Sequence, residues 1–289
     1  MKFPTGIFHV IASVFGLHGK KKSAVSDPLK KELENRMEEF MERDLFSLVI
    51  QPVVNFRKDS VTNGEILSRL NHPDHGMISP DIYLPVVDAL GLYPSFDRYI
   101  FRKSCAWLSH SLAQGEKLDC VSVNFSRITL SCKDIAKDLI EIADSYGVSH
   151  NALAIEITEQ VPETGVEDFL ENLNQLRAAG FRIILDDFGS GVTSFNDLMR
   201  YPLDVVKIDR SLLLEAQTEQ GANAYRALVA MAVELGAEVV CEGIETQAQN
   251  TFAREAGCHY GQGFLFFKPI AQDQVFAMIR RKSGLDNEV

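Results

Sequence analysis

The sequence predicts an α/β fold, a (β/α)8 barrel. Three observations carry this. From about residue 47 onward, short runs rich in β-branched residues alternate with longer amphipathic stretches. Eight such runs fall within about 230 residues, the span of one such barrel. No glycine-rich phosphate loop follows the first run, which argues against a doubly wound open sheet.

The elements follow in order. Gly6 to Leu17 is apolar but contains His9 and precedes Lys20-Lys21-Lys22. A signal peptide carries its basic residues before the apolar run, so this segment reads as a short strand, a helix or a remnant, rather than a membrane-surface anchor. No apolar stretch reaches the ~18–20 residues of a membrane span. Residues 20–27 are polar and read as a linker. Ser26-Asp27-Pro28 then opens a helix to about residue 43, with a capping side chain and proline in the first turn. Leu29, Leu33, Met37, Phe40 and Met41 share one face of it, which predicts docking on the main domain. The expected strands are Leu48–Phe56, Asn63–Arg69, Val121–Ser126, Ala152–Thr158, Arg182–Asp187, Val205–Ile208, Glu238–Glu242 and Gly263–Phe267. Glu167–Ala179 and Ala224–Leu235 are clear helical stretches between them. Trp107, with Cys105 and Leu108, reads as a buried helical face. His72 and His75 read as a loop, because Pro73 interrupts any helix between them.

Composition narrows the function. The chain has 40 Asp+Glu against 29 Lys+Arg, a net charge of −11. A chain this acidic is poorly suited to gripping long nucleic acid through its phosphates. Cys105, Cys120, Cys132, Cys241 and Cys258 are odd in number and form no CxxC pair. A disulfide framework or thiolate zinc site is therefore not expected, and a cytoplasmic protein is.

Barrel enzymes carry their chemistry at the C-terminal ends of the strands. Nearly every predicted strand here ends on a polar residue. These are Glu65, Asn124, Glu156, the pair Asp186-Asp187, Lys207 with Asp209, and Glu242 with Glu245; Gln262 introduces the eighth strand. Each alone is unremarkable, but together Glu65, Glu156, Asp186, Asp187 and Glu242 place five carboxylates, with the Asn124 amide, at one mouth. Such a cluster repels itself unless cations relieve it. Oxygen ligands without nearby Cys or His select Mg2+ or Mn2+. Two adjacent aspartates can feed two ions, which suits phosphodiester hydrolysis.

These segments resemble the EAL-domain family, the cyclic di-GMP phosphodiesterases of bacterial signalling. The resemblance runs from about residue 47 to 280. It rests on Gln51-Pro52, Glu65-Ile66-Leu67-Ser68-Arg69, Asn124-Phe125-Ser126, Glu156-Ile157-Thr158-Glu159, Asp186-Asp187-Phe188-Gly189-Ser190-Gly191, Lys207-Ile208-Asp209, Glu242-Gly243-Ile244-Glu245-Thr246 and Gln262-Gly263-Phe264, in that order.

The resemblance implies a modified TIM-type barrel with an antiparallel first strand, preceded by an N-terminal connector helix. It implies residues 1–45 as N-terminal segment and connector, 46–282 as the barrel, and 283–289 as a tail. It implies hydrolysis of cyclic di-GMP to linear pGpG with two Mg2+ or Mn2+ ions, lowering the messenger in the bacterial cytoplasm. Glu65, Asn124, Glu156 and Asp186 would hold one ion; Asp186, Asp187 and Glu242 the second. Lys207 would hold the attacking water, with Glu242, Glu65 and Gln262 completing the catalytic set. Gln51, Leu67, Arg69, Pro80, Asp209, Phe188, Glu245 and Pro269 would contact substrate, and Glu159 would anchor the loop after the fifth strand. A homodimer and a GGDEF or sensor domain, in the parent protein or in trans, are the implied partners. The alternatives are a receptor module that binds cyclic di-GMP without turnover and, more remotely, an unrelated Mg2+-dependent barrel enzyme. Ile66 stands where the family has Ala, Ser190 where Thr is usual, and Val192 where an aromatic is common. Ile66 is expected to face away from Glu65, since side chains alternate along a strand.

Overall fold

A computed structural model describes residues 27–157, 165–189 and 195–282. The first helix, α1 (Asp27–Glu42), turns Leu33, Met37 and Phe40 into the core, where each is at most 1% exposed. Burying such side chains stabilises by about 1.5–3 kcal/mol apiece, so α1 is docked as its apolar face predicts. Arg36 pairs with Glu32 and Glu39 along the same helix and lies over the Phe40 ring, 4.9 Å from its centroid.

The strands are β1 (Phe46–Asn55), β2 (Ser60–His72), β3 (Gly76–Ile78), β4 (Cys120–Phe125), β5 (Leu153–Ile157), β6 (Arg182–Phe188), β7 (Val205–Ile208), β8 (Glu238–Cys241), β9 (Tyr260–Gly261) and β10 (Ile270–Ala271). Strands β2, β4, β5, β6, β7, β8 and β9 pair in parallel, each with the next. β1 closes the ring and runs antiparallel to both of its barrel neighbours, β2 and β9. The result is an eight-stranded closed barrel with an inverted first strand. β1 and β2 form a long hairpin from Phe46↔Leu70 to Asn55↔Ser60, with a bulge at Val53/Val54. β3 and β10 are short antiparallel additions on β2 and β1.

Helices cover the outside: α2 (Pro80–Ala89), α3 (Tyr93–Ala113), α4 (Arg127–Leu130), α5 (Ile135–Ser145), α6 (Val166–Ala179), α7 (Phe195–Arg200), α8 (Arg210–Glu215), α9 (Glu219–Glu234), α10 (Gln247–Glu255) and α11 (Val275–Lys282). The main core lies between them and the strands. Trp107 is buried there as its spacing predicts, stacks on Phe276, and donates its indole N–H to the Gln272 carbonyl at 3.1 Å. Ile66 is 2% exposed in this core, while Glu65 and Leu67 belong to the other face of β2. No helix among the described residues is long and apolar enough to cross a membrane.

Two expectations are corrected. The eighth barrel strand is Tyr260–Gly261, not Gly263–Phe267. The amides of Phe266 and Phe267 both donate to the Gly263 carbonyl, so that segment is a turn. Gly263 lies against the backbone of Ile244, and a Cβ there would sit 2.2 Å from the Ile244 carbonyl oxygen. His72 is not in a loop but ends β2, 2% exposed. Its Nδ1 accepts the amides of Asp74 and His75, which leaves the proton on Nε2, facing Glu32 of α1 at 3.2 Å.

Candidate active site

The parallel ladder brings one end of seven strands to a common mouth. Register then places the side chains. Asn124 on β4 pairs with Glu156 on β5, and Lys207 on β7 pairs with Val240 of β8, two residues before Glu242. Glu65 comes from β2, opposite Gln51 of β1. Glu65, Leu67 and Arg69 share one face of β2, so the last two continue from the cluster toward the rim.

Alternation would send the neighbours Asp186 and Asp187 to opposite faces. A register shift in β6 between Leu185 and Phe188 breaks that rule. Asp187 adopts φ 53°, a left-handed conformation that aspartate tolerates better than most residues. Irregular strand ends of this kind re-aim side chains beside active sites. Asp186, Asp187 and Glu242 consequently bring carboxylate oxygens within 4.8 Å of one another.

Lys207 is the hub. Its ammonium lies 2.6 Å from Glu156 Oε1, 2.8 Å from Glu242 Oε1, 3.0 Å from Asp186 Oδ1 and 3.1 Å from Glu65 Oε2. Glu65 also accepts from Gln262 at 2.7 Å and from Asn124 at 3.2 Å. Lys207, Glu156 and Gln262 are each no more than 3% exposed. Burial and the neighbouring Glu65 raise the Glu156 carboxyl well above its usual range. Burial likewise pushes Glu242 up to about 8, against the pull of Lys207. Burial also opposes ionisation of Glu65, but Lys207 and the Gln262 and Asn124 amides outweigh it, and its carboxyl is held low. Lys207 remains firmly charged: burial disfavours its ammonium, yet the facing carboxylates prevail.

One ammonium does not balance four carboxylates, so the cluster retains protons or takes cations. Glu156 Oε2 and Gln262 Oε1 are buried with no hydrogen-bond partner. Buried acceptors of this kind call for an unseen donor, water or ion. The all-oxygen donor set therefore fits hard divalent cations.

The remaining predicted residues sit around the mouth. Gln51 donates to the Phe267 carbonyl at 3.4 Å. Arg69 donates to the Ser68 carbonyl. Leu67, Arg69, Pro80 and Pro269 are half-buried. Pro269 lines an adjoining groove of about 640 Å3 with Phe264, Phe267 and Lys268. Asp209 caps α8 by accepting the Ser211 amide at 2.8 Å. Phe188 is buried in the core at 5% exposure, so its ring offers little open face to a ligand. Glu159, Ser190 and Val192, like residues 1–26 and 283–289, lie outside the described residues.

Sequence reasoning missed two supporting residues. Asp97 of α3 is 4% exposed; it accepts from the Ser126 amide at 2.9 Å and the Thr129 hydroxyl at 2.5 Å. It thereby fixes the chain just after Asn124. Arg210 reaches Glu245 at 2.8 Å and lines the mouth. Their partners are distant in sequence, so no local spacing reveals them.

Comparison with known proteins gives the family and agrees with the fold. The EAL domain family profile matches residues 34–269. The cyclic di-GMP phosphodiesterase NbdA of Pseudomonas aeruginosa is 31% identical over 241 residues, covering 83% of this chain and 31% of NbdA. The signaling protein YkoW of Bacillus subtilis is 30% identical over 249 residues, covering 86% of this chain and 31% of YkoW. The chain thus spans about a third of the length of these two curated relatives. Among solved structures, the PaMucR phosphodiesterase in complex with c-di-GMP is 30% identical, with a TM-score of 0.77 over 84% of this chain and 99% of that one. The EAL enzyme Bd1971 aligns at a TM-score of 0.80, covering 94% of this chain and 74% of that one; at 24% identity it speaks for the fold alone.

Proposed function

The chain belongs to the EAL domain family, and from that premise we propose that it hydrolyses cyclic di-GMP to linear pGpG in the bacterial cytoplasm. The observation that carries this is the convergence of Glu65, Glu156, Asp186 and Glu242 on buried Lys207, with unpaired acceptor atoms left over. Inert barrel mouths have no use for four carboxylates on one ammonium.

We assign Glu65, Asn124, Glu156 and Asp186 to one divalent cation, and Asp186, Asp187 and Glu242 to a second. Bound there, Mg2+ or Mn2+ would neutralise the diester and lower the pKa of the attacking water. Lys207 orients that water and offsets the negative charge that develops on the phosphoryl oxygens. Glu242, 2.8 Å from Lys207, completes the catalytic set, and the proton that the water gives up ends on the departing O3′. Gln262 keeps Glu65 in place through its 2.7 Å hydrogen bond. One P–O3′ bond breaks as the water oxygen bonds to phosphorus, leaving a 3′-hydroxyl and a 5′-phosphate. Leu67, Arg69, Pro80 and Pro269 are the rim contacts we assign to the nucleotide, with Arg69 on a phosphate. Glu159 is proposed to anchor the loop after β6. A homodimer through Thr193–Arg200 and the helix after Asp209 is part of the same reading, as is a GGDEF or sensor domain as partner. Sedimentation with and without ligand tests the dimer.

The deciding experiment is turnover of cyclic di-GMP by the purified protein with Mg2+ or Mn2+ titrated in. Linear pGpG on chromatography is expected. Tight binding without any linear product would overturn the enzyme reading and leave a receptor module.

A further inference from the structure

Beside the Lys207 cluster, the mouth carries a second ion pair, Arg210 with Glu245. A recess of about 230 Å3 is lined by Gln51, Glu65, Arg210, Glu242, Glu245 and Gln262. Lys207 is already surrounded by four carboxylates, so Arg210 is the guanidinium this recess offers an incoming ligand. Arg210 opens α8, directly after Asp209. Its Nη2 donates to Glu245 Oε2 at 2.8 Å.

Two further contacts make this more than a loose surface pair. Gly243 has φ 67°, and a Cβ placed there would lie 2.3 Å from Arg210 Cγ. The loop from Glu242 to Glu245 therefore rests on the aliphatic stem of Arg210, and only glycine permits that approach. On its other side, the Glu245 amide donates to Gln249 Oε1 at 2.9 Å, within the capping box of α10. The Glu245 backbone is fixed by α10 and its carboxylate by Arg210.

A carboxylate held at the rim of a nucleotide site has a clear preference among purines. Guanine presents N1–H and an exocyclic N2–H2 side by side, both donors to carboxylate oxygens. Adenine presents a lone pair at N1, which a carboxylate repels. We infer that Arg210 is a specificity-determining positioning residue, holding the Glu245 carboxylate so that the mouth prefers guanine to adenine. The guanidinium also offsets the charge of Glu245 before a dianionic ligand arrives. This inference rests on the nucleotide reading of the mouth proposed above.

The test is a double-mutant cycle, Arg210→Ala, Glu245→Ala and the pair, on cyclic di-GMP and cyclic di-AMP. Arg210→Ala is expected to reduce the ratio of kcat/KM values by on the order of tenfold, the discrimination of one good base contact. In the Glu245→Ala background, removing Arg210 should change that ratio less than about twofold. Arg210→Lys should restore part of it, since lysine keeps the charge but loses the planar fork. Equal losses on both nucleotides, or losses that multiply in the double variant, would overturn the inference while leaving the phosphodiesterase reading intact. If the wild-type protein binds cyclic di-GMP without turning it over, the enzyme reading fails, and the same cycle read as equilibrium binding decides the role of Arg210. If it binds neither nucleotide, both fail.

Discussion

A buried ammonium that faces four carboxylates has one task in the metal-free protein and another once cations arrive. In the first state Lys207 limits the repulsion that Glu65, Glu156, Asp186 and Glu242 exert on one another. In the second, on the function proposed above, it would serve water and the phosphoryl group. Lys207→Ala should therefore lower turnover by about 10²–10³-fold, the typical loss for one preorganised electrostatic contact. Glu65→Ala should abolish turnover while circular dichroism stays native; full activity in that variant would sink the metal assignment. Glu242 gives a pH signature. Its carboxyl stands at about 8 in the fold against 4.5 ordinarily. Between those values the folded, metal-free protein binds a proton that the unfolded chain lacks. That stabilisation is complete below the ordinary value and lost as pH rises through about 8. The thermal midpoint of chelated protein should accordingly fall between about pH 5.5 and 8.5, and excess Mg2+ should flatten the slope. Cations must displace the same proton, so calorimetry near neutral pH, repeated in two buffers of different ionisation heat, should register proton release. Most of this cluster was legible in the sequence, because a carboxylate inside an apolar, β-branched run has no structural excuse. Arg210 was not legible. Its partners, Gly243 and Glu245, come from another loop, and only packing joins them.

At the level of elements, strand identity followed the β-branched runs closely up to β8, and strand ends moved by at most three residues, the most at β2. The failure at the eighth strand has a physical cause. β9 is two residues long, so it carries no period, while the aromatic run at Phe264–Phe267 carries one and is a turn. The inverted β1 was equally invisible to periodicity; only family resemblance implied it. Asp97 shows how an outer helix supports the mouth. It links α3 to the Ser126–Thr129 turn that follows Asn124. Asp97→Ala should destabilise by about 1–3 kcal/mol in urea unfolding, the cost of stranding buried donors. An unaltered midpoint would show that the turn stands without it. The docked α1 makes a parallel case: Phe40→Ala should cost about 3–5 kcal/mol, because its ring is wholly buried between helix and barrel. An exposed or detached helix would show almost none of that loss.

For the whole molecule, the charge of −11 acquires a location. Part of the excess is the mouth itself, and two divalent ions would add +4 just where a dianionic ligand must enter. Chelated protein should bind cyclic di-GMP far more weakly than loaded protein, as equilibrium titration would show. Calcium should support turnover poorly, since it favours more ligands and looser geometry. The inverted first strand also bears on how the chain assembles. β1 and β2 meet through a four-residue turn, so the hairpin carrying Glu65 forms from local contacts. The barrel closes elsewhere, where β9 joins β1 through only Val54↔Gly261 and Asn55↔Tyr260. That seam spans most of the chain, and its closure is entropically the most demanding step. The next residue after the seam is Gln262, which reaches across 197 positions to Glu65. Folding and assembly of the site thus end in the same event. Substitutions at Tyr260 should accelerate unfolding with little effect on the folding rate.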